Sequence, residues 1–397
     1  MSTSTPHCIG PAAVRAACST ATPAATSTLT RRLTGIVDFG TLQSGLVVNP
    51  SSDANSSVGG LRNVGGVIGA LGSGVIHNVQ SQATVTGTNG TGGIVGSAFG
   101  GTIDASTATA VVNGAGNAGG FVGVIAGPVT IESSTANSIT NATRFAIGGF
   151  VGAMLGGGTI TNSQASGRVS GYAFVGGFAG SINPDTATGI SGTITGSAVL
   201  GGAVSATSTD PNADNPVGGF VGFAGAAQLN NNTVDSTTTV AGFNDVGGVA
   251  GALIDGSTLS LGTTTGPVSS ANGVSIGGLV GHSLDAIISN SSTLASSRVS
   301  GGNNVGGIIG RAENATTLTG VTSNSTVTGQ GSVGGMAGRL IGGSTLAGSI
   351  ANGSVTASGI VVGGAVGGGR PHCPIGIARV ARKRRHVGRR DGRNTRP

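Results

Sequence analysis

The chain has 397 residues, 79 of them Gly, with 10 Phe, 1 Tyr, no Trp and a formal net charge of +6. So much glycine with so little aromatic side chain excludes an ordinary pair or trio of globular domains, and Gly, Ser, Thr, Asn and Val are poor helix formers, which excludes helical repeats. The charge is local: residues 370–397 hold 10 of the 19 Lys and Arg and one acid, Asp391, so the rest of the chain carries 9 basic and 12 acidic residues.

In chain order, residues 1–57 form a low-complexity N-terminal segment whose end could cap the repeats. It is rich in Ser, Thr, Ala and Pro, and no apolar run comes after Met1 to suggest a secretory signal. From 58 to 369 one six-residue pattern, apolar-Gly-Gly-apolar-apolar-Gly, recurs eleven times, from VGGVIG at 64–69 through IGGFVG at 147–152 to VGGAVG at 362–367. The first glycines of the pairs, Gly65, Gly92, Gly119, Gly148, Gly176, Gly218, Gly247, Gly277, Gly306, Gly334 and Gly363, are 27–30 residues apart in nine of ten steps. That period fits one coil of a solenoid. Val, Ile and Thr favour strands.

The coil 147–174 contains three strand-like stretches: IGGFVG with its flanks, TITNS at 159–163, and RVSG at 168–171. Three short strands and three turns fill such a coil, and stacking at about 4.8 Å gives a rod of about 50 Å. The expected fold is therefore all-β: a parallel β-helix, or β-solenoid, of about eleven coils with three short strands each. It is taken as right-handed by analogy with known parallel β-helices.

Motif positions one, four and five are apolar or nearly so, as in Ile147, Phe150 and Val151, and simple alternation cannot bury all three. Either the glycine pair bends the chain between them or the strand is covered on both faces. Stacking in register places Phe121, Phe150, Phe178 and Phe220 in one column, expected as a core ladder rather than an exposed sugar-binding strip. The one long step, 42 residues, holds SINPDTATGI at 181–190 and ATSTDPNADNP at 206–216, with Pro184, Pro211 and Pro216. It reads as a loop leaving a regular rod. After Gly369 the repeat stops, and the basic tail 370–397 reads as disordered.

No HExxH, GxSxG or P-loop motif occurs. His77 and His282 stand alone in sequence. The acids Asp104, Glu132, Asp185, Asp235, Asp245, Asp255, Asp285 and Glu313 are scattered, with no acidic pair expected at matching positions of neighbouring coils. Cys8, Cys18 and Cys373 lie outside the repeats and cannot staple them, and the PHC runs at 6–8 and 371–373 are too far apart in sequence to assign a zinc site. No catalytic, cofactor-binding or metal-binding residue is therefore assigned, and no cofactor. TxT pairs recur at Thr84/Thr86, Thr107/Thr109 and Thr193/Thr195, but their offsets from the glycine pair differ, so no flat threonine array is expected.

The glycine-pair motif with a TIxNS segment after it resembles the GLUG repeat, best at IGGLVG, 276–281, and over about 64–367 in all. Such repeats occur in large bacterial surface proteins, including filamentous-haemagglutinin-like adhesins and non-catalytic regions of IgA-specific metallopeptidases. The resemblance implies a secreted or surface-attached β-solenoid and carries over no catalytic residue. The resulting expectation is a non-enzymatic adhesin-like stalk or extended binding surface, extracellular or on a bacterial cell surface. Its partner would be a glycan or protein of a host or neighbouring cell, with no specific nucleic acid and no transmembrane span. A polysaccharide-active β-helix enzyme and an ice- or crystal-surface-binding solenoid are the alternatives.

Overall fold

The computed structural model describes residues 54–369, apart from 214 and 360, and the strands 41–42, 46–48, 51–52 and 375–380. The three cysteines, both PHC runs, Asp214 and the rest of the two ends lie outside the described residues. Among those described there is no helix; every element is a short strand. In the coil of the fourth glycine pair, the strands are Phe145–Gly148, Val151–Leu155, Thr159–Thr161, Gln164–Ser166 and Val169–Gly171. The three expected stretches are all present, and two are interrupted: the glycine pair splits the first, and the Asn-Ser corner splits the second.

Through the eleven glycine-pair coils each strand pairs in parallel with its equivalent one coil away, in repeat register; only the pairing of Thr345–Ala351 with Ile375–Val380, among the described strands, is irregular. Ile147 lies opposite Ala118 and Val175, and Ile160 opposite Ile131 and Ile194. The result is a parallel β-solenoid of eleven coils. Its ladders form sheets of 12, 11, 22 and 11 strands, the largest carrying two strands per coil. Outside the glycine-pair coils, Ile375–Val380 runs beside Thr345–Ala351 in that largest sheet.

The solenoid has two cores. Positions four and five, such as Phe150 and Val151, bury into the larger one with Ile160 and Ala165. Position one, such as Ile147, buries into a second with Val169, Val175 and Val204. The chain bends at Gly149–Phe150, between the two strands. This bend is how three positions that alternation cannot place together are all buried.

The glycines are demanded by backbone contact. A Cβ on Gly148 would strike the carbonyl oxygen of Val151 and lie 2.7 Å from that of Phe178; one on Gly149 would strike the carbonyl oxygen of Gly177. The motif's last glycine, Gly152, would place a Cβ 2.6 Å from the carbonyl carbon of Asn117, one coil back. Rigid backbone on every side leaves a methyl group nowhere to go.

Two further ladders run up the rod. Phe121, Phe150, Phe178 and Phe220 are fully buried, with successive ring centroids 4.5, 4.7 and 4.7 Å apart and planes within 12°. The column is thus a core stack and not a sugar-binding strip. At the TIxNS corner, buried Ser163 donates to the Thr161 carbonyl (2.9 Å) and accepts from the amide of Ser134 one coil earlier (3.2 Å). Ser197 does the same for Ser163 at 3.2 Å. The residue before this corner position has a left-handed backbone and is Asn in several coils: φ is 48° at Asn162, 52° at Asn231 and 48° at Asn290.

This packing has two testable outcomes. Gly149→Ala should cost about 3 kcal/mol by forcing backbone apart, whereas Gly59→Ala, where a Cβ meets nothing within 4 Å, should be near neutral; urea unfolding of both variants checks this. Leu261 occupies the Asn corner with φ of 54° and is 51% exposed. Leu261→Asn should therefore stabilise by about 1 kcal/mol, since a branched side chain gains nothing there to offset the left-handed strain; a lowered urea midpoint would count against this account.

Candidate functional site

The long step is two excursions at different corners, with the coil's ladder strands intact between them. Residues 184–192 leave after Ala179–Asn183 and return at Thr193–Thr195. Residues 207–216 leave after Gly202–Ala206 and return at Val217–Gly218. The first loop is tied by Asp185, whose Oδ1 accepts from the Thr188 amide (2.8 Å), the Thr188 hydroxyl (3.0 Å) and the Ala187 amide (2.9 Å). These bonds, the Thr188 amide foremost, hold its carboxyl below the usual range. In the second, buried Asn215 donates to buried Ser208 at 2.5 Å, and Asn244 of the next coil donates to the Pro211 carbonyl at 3.1 Å.

Between these loops lies an aromatic cluster that the motif pattern does not show. Phe145 meets Tyr172 edge-on at 6.2 Å and Phe174 at 6.1 Å, and Phe174 meets Phe223 at 5.6 Å. Phe145 and Tyr172 are 48% and 38% exposed. Phe174 takes φ of 54°, a strained conformation for a bulky side chain. The second loop begins here, with the Ser208 amide donating to the Tyr172 carbonyl. A signal existed in the sequence: Phe145, Tyr172 and Phe174 cluster just before two successive glycine pairs, where several coils carry Asn, as at Asn63, Asn117 and Asn304.

Phe223 belongs to a column on the strand after the glycine pair. In register it runs Ser181, Phe223, Ala252, His282, Arg311, Arg339. Arg311 pairs with Glu313, and His282 Nε2 is 3.8 Å from the same carboxylate. At the opposite end of the rod His77 Nδ1 is 2.8 Å from Asp104 Oδ2, and Asp104 lies opposite Glu132 in the next coil. Asp255 and Asp285 share one left-handed corner on consecutive coils, φ 55° and 54°. The expectations that both histidines stand alone and that no acids match between coils are therefore corrected. Residues 27–31 apart in sequence become neighbours once each strand shifts by one coil.

The threonine expectation holds for the pairs it named and misses one column. The three TxT pairs do lie on different strands: Thr84–Thr86, Thr107–Ala108 and Thr193–Thr195. Yet Thr102, Thr130, Thr159 and Thr193 form one column in register. From Thr159 to Thr345 the outward columns of the two-strand sheet, represented by Thr161/Thr195, Thr258/Ser260 and Thr317/Thr319, contain no charged side chain. Behind them Ile160, Ile194, Leu259 and Leu318 are fully buried. The outcome is an uncharged face rich in Thr and Ser, interrupted by Gln228, Asn230 and the exposed Ile287.

The repeat unit itself can now be placed. The family model described as the GLUG motif matches residues 143–170, which is one complete coil from before its glycine pair to its closing Val-Ser. This coil is similar to the GLUG motif. The other ten glycine pairs repeat its strand pairing in register. No curated protein and no solved structure matches the chain. No helix among the described residues is long and apolar enough to cross a membrane, and no group of three or more His, Cys, Asp or Glu among them could hold a metal ion.

One carboxylate joins neighbouring coils directly. Asp235 Oδ1 accepts from the Gly201 amide of the preceding coil (3.0 Å), the Thr238 hydroxyl (2.8 Å) and the Thr237 and Thr238 amides. Burial works to raise its pKa, but these hydrogen bonds outweigh burial and lower it below 3.8. A lowered folded-state pKa stabilises above the unfolded value and is lost as pH falls through the folded one. Asp235→Asn should thus cost about 1 kcal/mol at pH 7, reduced from a buried bond by solvent screening. The gap to wild type should shrink below about pH 4; denaturant curves at pH 7 and pH 3 check this, and a pH-independent gap would contradict it.

Proposed function

We propose that this protein is a non-enzymatic rod of the bacterial cell surface or extracellular space, working as an adhesin-like stalk with an extended binding face. The observation that carries the reading is the exact register of eleven coils. Outward columns set side chains at a fixed spacing along one axis, as at Thr102, Thr130, Thr159 and Thr193, so contacts too weak to hold alone add through avidity. GLUG coils fit a repeat surface protein, and the partner is read as a glycan or protein on a host or neighbouring cell.

Shortening the rod tests it. Deleting 247–276 joins Val246 to Gly277 and removes one coil while keeping register. Retention of the labelled full chain on cultured cells or extracellular matrix should fall several-fold with each coil removed. A chain that is not retained at all, or that releases reducing ends from polysaccharide in an Asp104-dependent way, would overturn the reading.

A second reading rests on the neutral threonine face. Hydroxyl and methyl groups repeat there at about 4.8 Å along the rod and about 6.7 Å along the strand, a two-dimensional lattice suited to ice or another crystalline surface. Thermal hysteresis in wild type that disappears in Thr195→Lys would favour it over the adhesin.

A further inference from the structure

We propose that the outer column of the strand after the glycine pair, with the aromatic cluster at its start, is a binding strip for an acidic polysaccharide chain laid along the rod. This names the ligand class of the binding face proposed above and rests on that reading. Two features of different chemistry meet in one line. Phe223, Ala252, His282, Arg311 and Arg339 are register partners on five consecutive coils, spanning about 19 Å at the strand spacing; Ala252 is buried, so the accessible side chains lie on either side of it. Phe223 is joined through Phe174 to the exposed rings of Phe145 and Tyr172.

The basic end is unbalanced. Arg311 and Arg339 lie directly opposite one another, an arrangement that repels. Glu313 answers Arg311 and stands near His282. Arg339 has no ion-pair partner among the described residues. Its neighbour on the next coil is Gly368, which presents no side chain to cover it. A guanidinium held half-buried and open on one side matches a carboxylate in a two-pronged hydrogen bond.

At the other end the rings are tilted against each other by 42–81° and half-exposed, so they offer edges and partial faces to a chain rather than one flat platform. The strain at Phe174 is accepted where a turn residue such as the Asn117 of an earlier coil would sit at ease. A uronate chain supplies both partners: apolar C–H faces for the rings and a carboxylate on each sugar. A nucleic acid would need several cations for its closely spaced phosphates, and this strip has one uncompensated arginine beside a net acidic body.

The test is affinity of the full chain for a polyuronate oligosaccharide, with neutral dextran as comparison, at physiological salt. The basic run after Gly369 would itself attract a polyanion, so the strip is read from variants that leave that run intact. Arg339→Gln and Phe145→Ala, both outside the cores, should each weaken polyuronate binding at least fivefold, and dextran should bind no better than background. Unchanged polyuronate affinity in both variants, no polyuronate binding by wild type, or tighter binding to oligo(dT) than to polyuronate would overturn the proposal. Cell retention measured on the same proteins separates the two levels. Retention of wild type without polyuronate binding removes the strip and leaves the adhesin reading, whereas no retention of wild type removes both.

Discussion

The close approach of backbone to backbone at the glycine pair is the constraint on which the rest of this rod depends. Gly148, Gly149 and Gly152 let the strands on either side of the bend touch with no side chain between them. That contact closes one core and opens another within six residues. It also fixes the register of every later strand, because carbonyls such as those of Phe178 and Gly177 occupy the space a Cβ would need. A solenoid is stabilised by contacts between neighbouring coils. Here the least tolerant of those contacts occurs at the same place in every coil, so insertions fall at corners between the ladder strands, as in the one long step.

The register then sets the chemistry of the surface and the core. Parallel stacking turns a single well-chosen residue into a ladder: phenylalanines stack, serines pass a hydrogen bond from coil to coil, and threonines line up on a face. The same rule brings together groups that look isolated in the chain, such as His77 with Asp104 and Arg311 with Arg339. Fold and surface are therefore linked by a translation of one coil, and a change at one position acts on its partners above and below.

The period and the strand composition made the architecture legible, because glycine pairs cannot recur at 27–30 residues without a common backbone requirement. The phenylalanine stack was legible for the same reason. The bend was only half legible: alternation showed that Ile147, Phe150 and Val151 conflict, but a conflict does not say which core each residue enters. The threonine column was hidden because offsets counted from the glycine pair drift with corner length. Thr102, Thr130 and Thr159 keep register only when counted along their own strand. The aromatic cluster was hidden for a further reason. Its members come from two different strand positions, Phe174 before one glycine pair and Phe223 after the next, and only the fold across the bend brings their rings to 5.6 Å.

That last case bears on how a rod of near-identical coils acquires a distinct place along its length. The long step contributes two loops, yet the ladder strands Thr193–Thr195 and Gly202–Ala206 pass through it in register. The insertions therefore add local surface without disturbing the regularity that holds the coils together. Strain at Phe174, exposed rings beside it and, three coils beyond Phe223's neighbour, an arginine with no ion-pair partner among the described residues all lie on the strands flanking the glycine-pair bend. Uniform packing inside makes such departures tolerable, because each disturbed coil is flanked by undisturbed ones that keep its backbone in place. Specificity in this fold is then a matter of which few columns break the repeat, and the repeat itself supplies the stiffness and spacing that let those columns act as one surface.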